Sequence, residues 1–498
     1  MTSYERVLRF ALSKGIVFPS CEIYGEAPAG FWEYGPLGVR LRNRFIEAWR
    51  RELVRRDEMI EIDGSQIMTK RVFLASGHLE SFADPITKCR GCGSIFRADK
   101  LIEEKTNISV PERLSDSEIS MMLEDRGIRC TNCNGELSEV TRFNMMFKVS
   151  VGPSGDEAYL RPETCQSIFV DFLRIYKTTT NKLPLALCQI GKSFRNEISP
   201  RQSILRQREF YQAEIEVFFN PKKADEFDKF EQYKDYALML QPLNEDKAVK
   251  VTPSEAVASG LISNRLIAYY LVLIQRFYER LGINRESVRL RQLDSEERAF
   301  YARESWDLEV KTSLGWLELV ACNNRGDYDL TRHMEVSGQD LSVVDDGERI
   351  VPHVFELSMG VDRSLYLLLE HLYLTDSKRT ILRLPYHLAP IQVAVFPLVD
   401  KGELTKLAER IYNDLKVDFD SFYDSRESIG RRYRKMDELG TPFCVTVDHQ
   451  SLEDGTVTVR DRDTMSQIRV PASELKQRIQ RLLEESWGRA CDRGLGES

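Results

Sequence analysis

The chain has 498 residues, 42% hydrophobic and 30% charged, an ordinary globular composition in a chain too long for one core. Its 70 basic and 78 acidic residues leave a net charge of −8, which argues against coating nucleic acid through bulk charge and confines any RNA contact to local clusters such as Arg431 to Lys435. No apolar run approaches twenty residues and the first residues lack a secretory core, so no membrane span and a cytoplasmic location are expected.

In chain order, Leu41, Phe45, Ile46, Trp49 and Leu53 fall on one stripe and predict a helix over 37–53. A short strand follows at Met59–Ile62. Residues 86–140 differ from their surroundings and read as a small inserted module. They hold the pairs Cys89/Cys92 and Cys130/Cys133, each followed by turn residues that suit a tetrahedral thiolate site. The 37 intervening residues make a longer gap than a compact ribbon has. Four thiolates leave no open position, so one structural zinc is expected; the bland reading is two unrelated pairs of buried thiols. The other six cysteines read as free thiols of a reducing compartment.

Strand-like stretches follow at Leu185–Arg195, Phe210–Phe219, Trp316–Cys322 and His353–Met359. An amphipathic helix is predicted near Leu266–Leu281 and an apolar one from Met359 to Leu374. From residue 385 strand and helix alternate through Ile391–Phe396, Glu403–Leu415 and Phe443–Val447, which predicts a separate α/β domain with a largely parallel sheet.

Side chains on a strand alternate between faces. Phe210–Phe219 places Gln212, Glu214 and Glu216 opposite Tyr211, Ala213, Ile215, Val217 and Phe219. His353–Met359 places Glu356 and Ser358 opposite Phe355, Leu357 and Met359. Trp316–Cys322 places Trp316, Glu318 and Val320 opposite Leu317, Leu319 and Ala321. Half-exposed sheets carry such polar faces routinely. The large aromatics Phe210 and Trp316 on the acidic faces point instead to a partly covered surface that suits a cation, either an ammonium group or magnesium. Between the first two strands, Arg195, Arg201, Arg206 and Arg208 crowd a hairpin tip. Guanidinium groups bind phosphate oxygens in pairs, although most Arg-rich hairpins are surface loops with internal ion pairs.

The hairpin carries a resemblance. Phe194-Arg195-Asn196-Glu197 with Arg206 and Phe210 resembles motif 2 of class II aminoacyl-tRNA synthetases, Gly360-Val361-Asp362-Arg363 resembles motif 3, and Pro36-Leu37-Gly38 through Ile62 resembles motif 1. Glu22 to Gly25, Tyr34 to Gly38, Arg161-Pro162-Glu163-Thr164, Trp316 to Arg325, Tyr328 to His333, Ser428 to Tyr433 and Arg460 to Asp463 are similar to the dimeric glycyl-tRNA synthetases over nearly the whole chain. Cys165 and Ser167 depart from that pattern, where Ala and Gly are expected.

The resemblance implies an α+β fold: an antiparallel-sheet catalytic domain (residues 1–85 and 141–384, with a helical insertion around 222–312), the zinc-binding insertion at 86–140, and an anticodon-binding domain at 385–498. It implies ATP with magnesium as cofactor, glycine and tRNA(Gly) as substrates, no DNA partner, and a homodimer through motif 1. Arg195, Glu197 and Arg363 would be catalytic. Arg206, Phe210, Leu319 and Arg325 would join them around ATP, with Glu318 on magnesium. Glu163, Arg195, Glu214, Glu356 and Ser358 would hold glycine.

Elementary chemistry is consistent with this. Glycine offers an ammonium, a carboxylate and no side chain, so a pocket selects it by pairing the ammonium and leaving no room beyond the α-carbon. Adenylate formation needs positioning and charge neutralisation more than a covalent nucleophile. The alternatives are a class II enzyme for another small amino acid, a non-catalytic relative, and a generic zinc-containing RNA-binding protein.

Overall fold

The computed structural model describes residues 3–492 except 26–27, 112–113, 180, 201, 300 and 376–378, so Arg201 of the hairpin lies outside the described residues. Nine described strands make one sheet: β1 (Ile60–Ile62), β2 (Leu185–Phe194), β3 (Glu209–Phe219), β4 (Leu238–Gln241), β5 (Val249–Val251), β6 (Val288–Gln292), β7 (Glu304–Thr312), β8 (Gly315–Gly326) and β9 (His353–Gly360). Their spatial order is β5-β4-β6-β7-β8-β9-β3-β2-β1, antiparallel except between β1 and β2 and between β4 and β6. The stretch 222–312, expected as a helical insertion, carries the helices Pro253–Ala258 and Arg265–Arg280 and also supplies four of these strands.

Strand alternation builds the core. Ala213, Ile215 and Val217 of β3, Trp306, Leu308 and Val310 of β7, and Phe355, Leu357 and Met359 of β9 enter one apolar cluster. Its far wall is made by helices α1 (Pro36–Trp49), α3 (Arg265–Arg280) and α4 (Val361–Leu372), while α2 (Cys165–Thr178) packs in a second cluster on the other face of the sheet. Proline suits the first turn of α1, and Gly38 is required there because a Cβ would stand 1.9 Å from the Ile16 carbonyl. Of the predicted stripe, Leu41, Phe45, Trp49 and Leu53 are buried and Ile46 is half-buried. Helix α3 is not simply amphipathic. Leu266 through Gln275 are all buried, because the segment around Ala224 and Phe230 covers the side away from the sheet.

Strand β8 breaks the expected alternation. A register shift opposite Leu308/Glu309 pairs Leu308 with Val320 and Glu309 with Glu318. The extra residue sends Leu319, Val320 and Cys322 to the core and returns Ala321 and Asn323 to the face that carries Glu318. Val320 and Ala321 are therefore on the opposite faces from those expected.

Residues 83–144 carry a three-stranded sheet of Ala83–Lys88, Ile95–Arg97 and Thr141–Asn144. Two helices, Ala98–Thr106 and Asp116–Asp125, fill the long gap between the cysteine pairs and form a separate small core with Val110 and Val140. Ser115 and Glu118 close a capping box on the second helix.

The C-terminal sheet has strands β10 (Val393–Pro397), β11 (Ser421–Tyr423), β12 (Phe443–Val447), β13 (Thr456–Asp461) and β14 (Gln467–Pro471), in the order β11-β10-β12-β13-β14. It is parallel across β11-β10-β12 and antiparallel across β12-β13-β14, not largely parallel. The connections after β12 and β13 are too short for a crossover, which takes about a dozen residues. Within the basic cluster, Arg432 is buried and donates to the Pro397 and Asp424 carbonyls, whereas Arg431, Arg434 and Lys435 are exposed. Arg460 is buried in a bidentate pair with Asp437. Arg462, also buried, donates to the carbonyls of Leu382 (3.2 Å), Leu384 (2.7 Å) and Gly440 (2.8 Å). Among the described residues no helix is long and apolar enough to cross a membrane.

Candidate active site

The polar face of the sheet is organised in transverse rows. Register aligns Gln189, Glu214, Ser358, Ala321 and Asp307 across five strands; the next row aligns Glu216, Glu356, Asn323 and Ser305. Above them lies a cavity of about 230 Å³, lined by Glu163, Arg195, Glu197, Arg206, Phe210, Glu318, Glu356, Ser358 and Arg363 among the expected residues. Gln207, Gln212, Tyr301, Ala321, Asn323 and Asp362 also line it.

Glu214 is fully buried just beneath the cavity. Thr164 Oγ1 donates to its Oε2 (2.6 Å), and Ser358 Oγ and Gln212 Nε2 each donate to its Oε1 at 2.7 Å. Ser193 in turn donates to Gln212 Oε1. Burial, then the charges of Glu163 and Glu356, push the Glu214 carboxyl up to about 7. Glu356 takes Asn323 Nδ2 at 2.7 Å and Arg325 Nη1 at 3.0 Å. Its neighbour Glu216 is buried, with both carboxyl oxygens lacking a hydrogen-bond partner. Burial and the Glu356 charge hold Glu216 well above the usual carboxylate range.

Glu163 precedes helix α2, and two positions before it Arg161 is buried and donates to the Lys192 and Gly64 carbonyls. Gly191 on β2 makes room for that guanidinium, since a Cβ there would stand 2.1 Å from Arg161 Nη2. Burial would raise Glu163, but His78 and Arg325 outweigh it and hold the group well below its ordinary value. Cys165 Sγ and Gln166 Nε2 both donate to Glu163 Oε1 at 3.0 Å, while Ser167 closes tightly on Gly64. Of the two departures from the expected pattern, Cys165 thus touches a carboxylate of the site, while Ser167 packs against Gly64.

Arg195 donates through Nε to the Pro162 carbonyl and lies between Phe210 (5.4 Å) and Phe82 (5.5 Å). Its Nη atoms make no hydrogen bond to a described residue and are available to an anion in the cavity. Arg206 pairs with Glu197 at 2.8 Å. Arg363 ties the hairpin to β8 through the Leu205 and Glu318 carbonyls. Behind it, Asp362 accepts from the Tyr34 hydroxyl and from the Tyr211 backbone N–H (2.7 Å), which joins the segment before α1 to β3 and α4.

Two expected nucleotide contacts lie elsewhere. Leu319 is buried in the apolar core, placed there by the bulge. Arg325 is 2% exposed, locked between Glu356 and Asp329 (2.6 and 2.8 Å) and covered by the Tyr301 ring at 3.9 Å. Its charge serves the carboxylates of the site from beneath. Asp307 was not anticipated. It stands across from Ala321, and burial followed by the Glu318 charge pushes it up to about 8. The alternation of Trp306, Leu308 and Val310 with Asp307 and Glu309 is the signal that could have found it.

The four Sγ atoms of Cys89, Cys92, Cys130 and Cys133 lie within 4.8 Å of one another. Cys89 and Cys133 sulfurs are 3.4 Å apart and those of Cys92 and Cys130 3.6 Å. Zinc–sulfur bonds of about 2.3 Å at tetrahedral angles set sulfurs about 3.8 Å apart, so the cluster has the dimensions of a zinc site and not of disulfides. The N–H groups of Cys92 and Asn132 already point at Cys89 and Cys130 sulfurs, as thiolates require.

Known proteins match this chain along its length. The family model described as tRNA synthetase class II core domain (G, H, P, S and T) matches residues 147–372, and the one described as anticodon binding domain matches residues 392–482. The glycine--tRNA ligase of Thermococcus kodakarensis is 41% identical over 97% of this chain and 99% of its own. That of Pyrococcus furiosus is 41% identical over 96% and 99%, and that of Methanococcus maripaludis 37% over 95% and 99%.

Proposed function

The chain belongs to the glycine–tRNA ligases, class II synthetases that use ATP to join glycine to tRNA, and on that premise we propose how its residues divide the work. The observation that carries the proposal is the arrangement of Glu163, Glu356 and Ser358 around one small cavity with Glu214 beneath it. A cluster of carboxylates at that depth gives a negative potential for the glycine ammonium, and the close packing leaves no space for a side chain.

Arg195 holds the glycine carboxylate against the α-phosphate. The carboxylate oxygen forms a bond to the α-phosphorus as the bond to pyrophosphate breaks in line. Phe210 and Arg363 enclose the adenine, and Arg206 with Glu197 orders the hairpin over the phosphates. ATP brings magnesium. Glu318, with Asp307 in the neighbouring strand, is the carboxylate set that would meet the ion, and a cation there would relieve the repulsion that raises Asp307. The tRNA 3′-terminal hydroxyl then attacks the glycyl carbonyl and AMP leaves.

Cys89, Cys92, Cys130 and Cys133 hold one zinc ion with a structural role. The C-terminal unit reads the anticodon through exposed residues such as Arg431 and Arg434, and α1 forms a homodimer interface. Amino-acid-dependent ATP–pyrophosphate exchange tests the reading: glycine alone should support it. Exchange with another amino acid instead would overturn the pocket assignment.

A further inference from the structure

A second cavity, of about 520 Å³, shares Glu163, Arg195 and Tyr301 with the first and is also lined by His78 and Phe82. His78 stands where the two meet. Its Nε2 is 3.4 Å from Glu163 Oε1, its Nδ1 is 2.7 Å from Ser76 Oγ, and its carbonyl accepts from Asn144 Nδ2. The ring is packed edge-on by Phe82 (5.3 Å) and Phe73 (6.1 Å). Both His78 and Glu163 side chains are 11% exposed, so neither is free to choose another conformation in water.

All three contacts that described residues make with the Glu163 carboxylate fall on Oε1. Oε2 receives none and remains for a ligand in the cavity. A nitrogen lone pair aimed at a carboxylate oxygen would be repulsive, so Nε2 carries the hydrogen and Nδ1 faces the Ser76 hydroxyl. With its hydrogen in place, whether the ring is neutral or charged, Nε2 cannot take a proton from a substrate, which excludes a general-base role for His78 in this arrangement.

We propose that His78 is a positioning residue for the glycine site: by holding one oxygen of Glu163 it turns the other toward the ammonium group. The proposal rests on the reading of Glu163 as a glycine ligand. It goes beyond that reading in assigning the orientation to a residue outside the three motifs.

The test is glycine and ATP KM in pyrophosphate exchange for H78Q, H78M and H78F, with thermal melts as the control for folding. Gln keeps an N–H donor at similar reach. Met and Phe remove it while filling the space in two different shapes, so that one variant failing to fold leaves the other. Glycine KM should rise about tenfold or more in H78M and H78F, with ATP KM within about twofold, and H78Q should fall close to wild type. Near-normal glycine KM in H78F, or equal damage in H78Q and H78M, would assign His78 to packing alone and overturn the proposal. E163Q separates the two levels. If it leaves glycine KM unchanged, the glycine-site reading fails and this inference with it; if it raises KM while H78M and H78F do not, only the role of His78 fails.

Discussion

Glu216 and Glu356 stand directly opposite one another on adjacent antiparallel strands, both buried, and only Glu356 has a cation at contact distance, Arg325. Arg325 is taken up by Glu356 and Asp329, so Glu216, with no partner for either oxygen, keeps its proton.

Glu216→Gln should therefore change little, because an amide replaces a neutral acid of the same shape. At pH 5 the variant should unfold within about 1 kcal/mol of wild type. The folded-state value of Glu216 is raised above the unfolded one. Its contribution is therefore fully present below the unfolded value and declines as pH rises toward the folded one. The melting temperature of E216Q should gain on wild type between pH 5 and 8. A variant several degrees less stable throughout would show that Glu216 is ionised and paired.

Glycine binding should improve with rising pH through about 7, the value to which Glu214 is pushed. Below it Glu214 is largely protonated, and bringing an ammonium above it must release a proton. Glycine KM should fall from pH 6 to 8 by several-fold, and Glu214→Gln should flatten the profile. Glu163→Gln removes a like charge that raises Glu214 and should shift the midpoint to lower pH. A wild-type profile flat across this range would refute the coupling.

Arg195 and Arg325 should part company when each is changed to Ala. Arg195 makes one backbone contact beside the cavity, so R195A should keep its melting temperature and lose pyrophosphate exchange by about 100-fold or more. Arg325→Ala strands Glu356 and Asp329 as buried charges and should cost about 3–5 kcal/mol of stability. Urea melts and exchange assays on both variants decide it. A stable, inactive R325A would restore that residue to direct nucleotide contact.

Chelation should loosen residues 83–144 and spare the nine-stranded sheet, since the module has its own small core around the four thiols. Metal analysis should give one zinc per chain. Hydrogen exchange after chelator treatment should show protection lost in the module alone. Loss spread evenly over the chain, or pure protein without metal, would remove the structural zinc.

The strands bearing Glu214 and Glu356 were legible because strict alternation exposes a polar face whatever the partner strands do. The same rule failed in β8, where a bulge opposite Leu308/Glu309 reverses parity; nothing in Val320-Ala321 marks the extra residue. Arg325 was expected at the nucleotide from the resemblance, but a guanidinium between two carboxylates is drawn inward, and pairing partners 4 and 31 positions away cannot be read from the sequence. The short strands of 222–312 went unread because three to five residues give too little periodicity, although β7 with its nine was readable. The cysteine pairs were legible from spacing alone, while the two helices between them were not.

Arg462 grips two carbonyls of the connecting segment, at Leu382 and Leu384, and one at the end of helix Ile429–Leu439, at Gly440. All three acceptors are main-chain atoms, so substitution of those residues leaves the clasp in place. The segment that could have served as a hinge is thereby a splint. On the roles proposed above, that splint sets the distance between the adenylate site and the surface that would meet the anticodon.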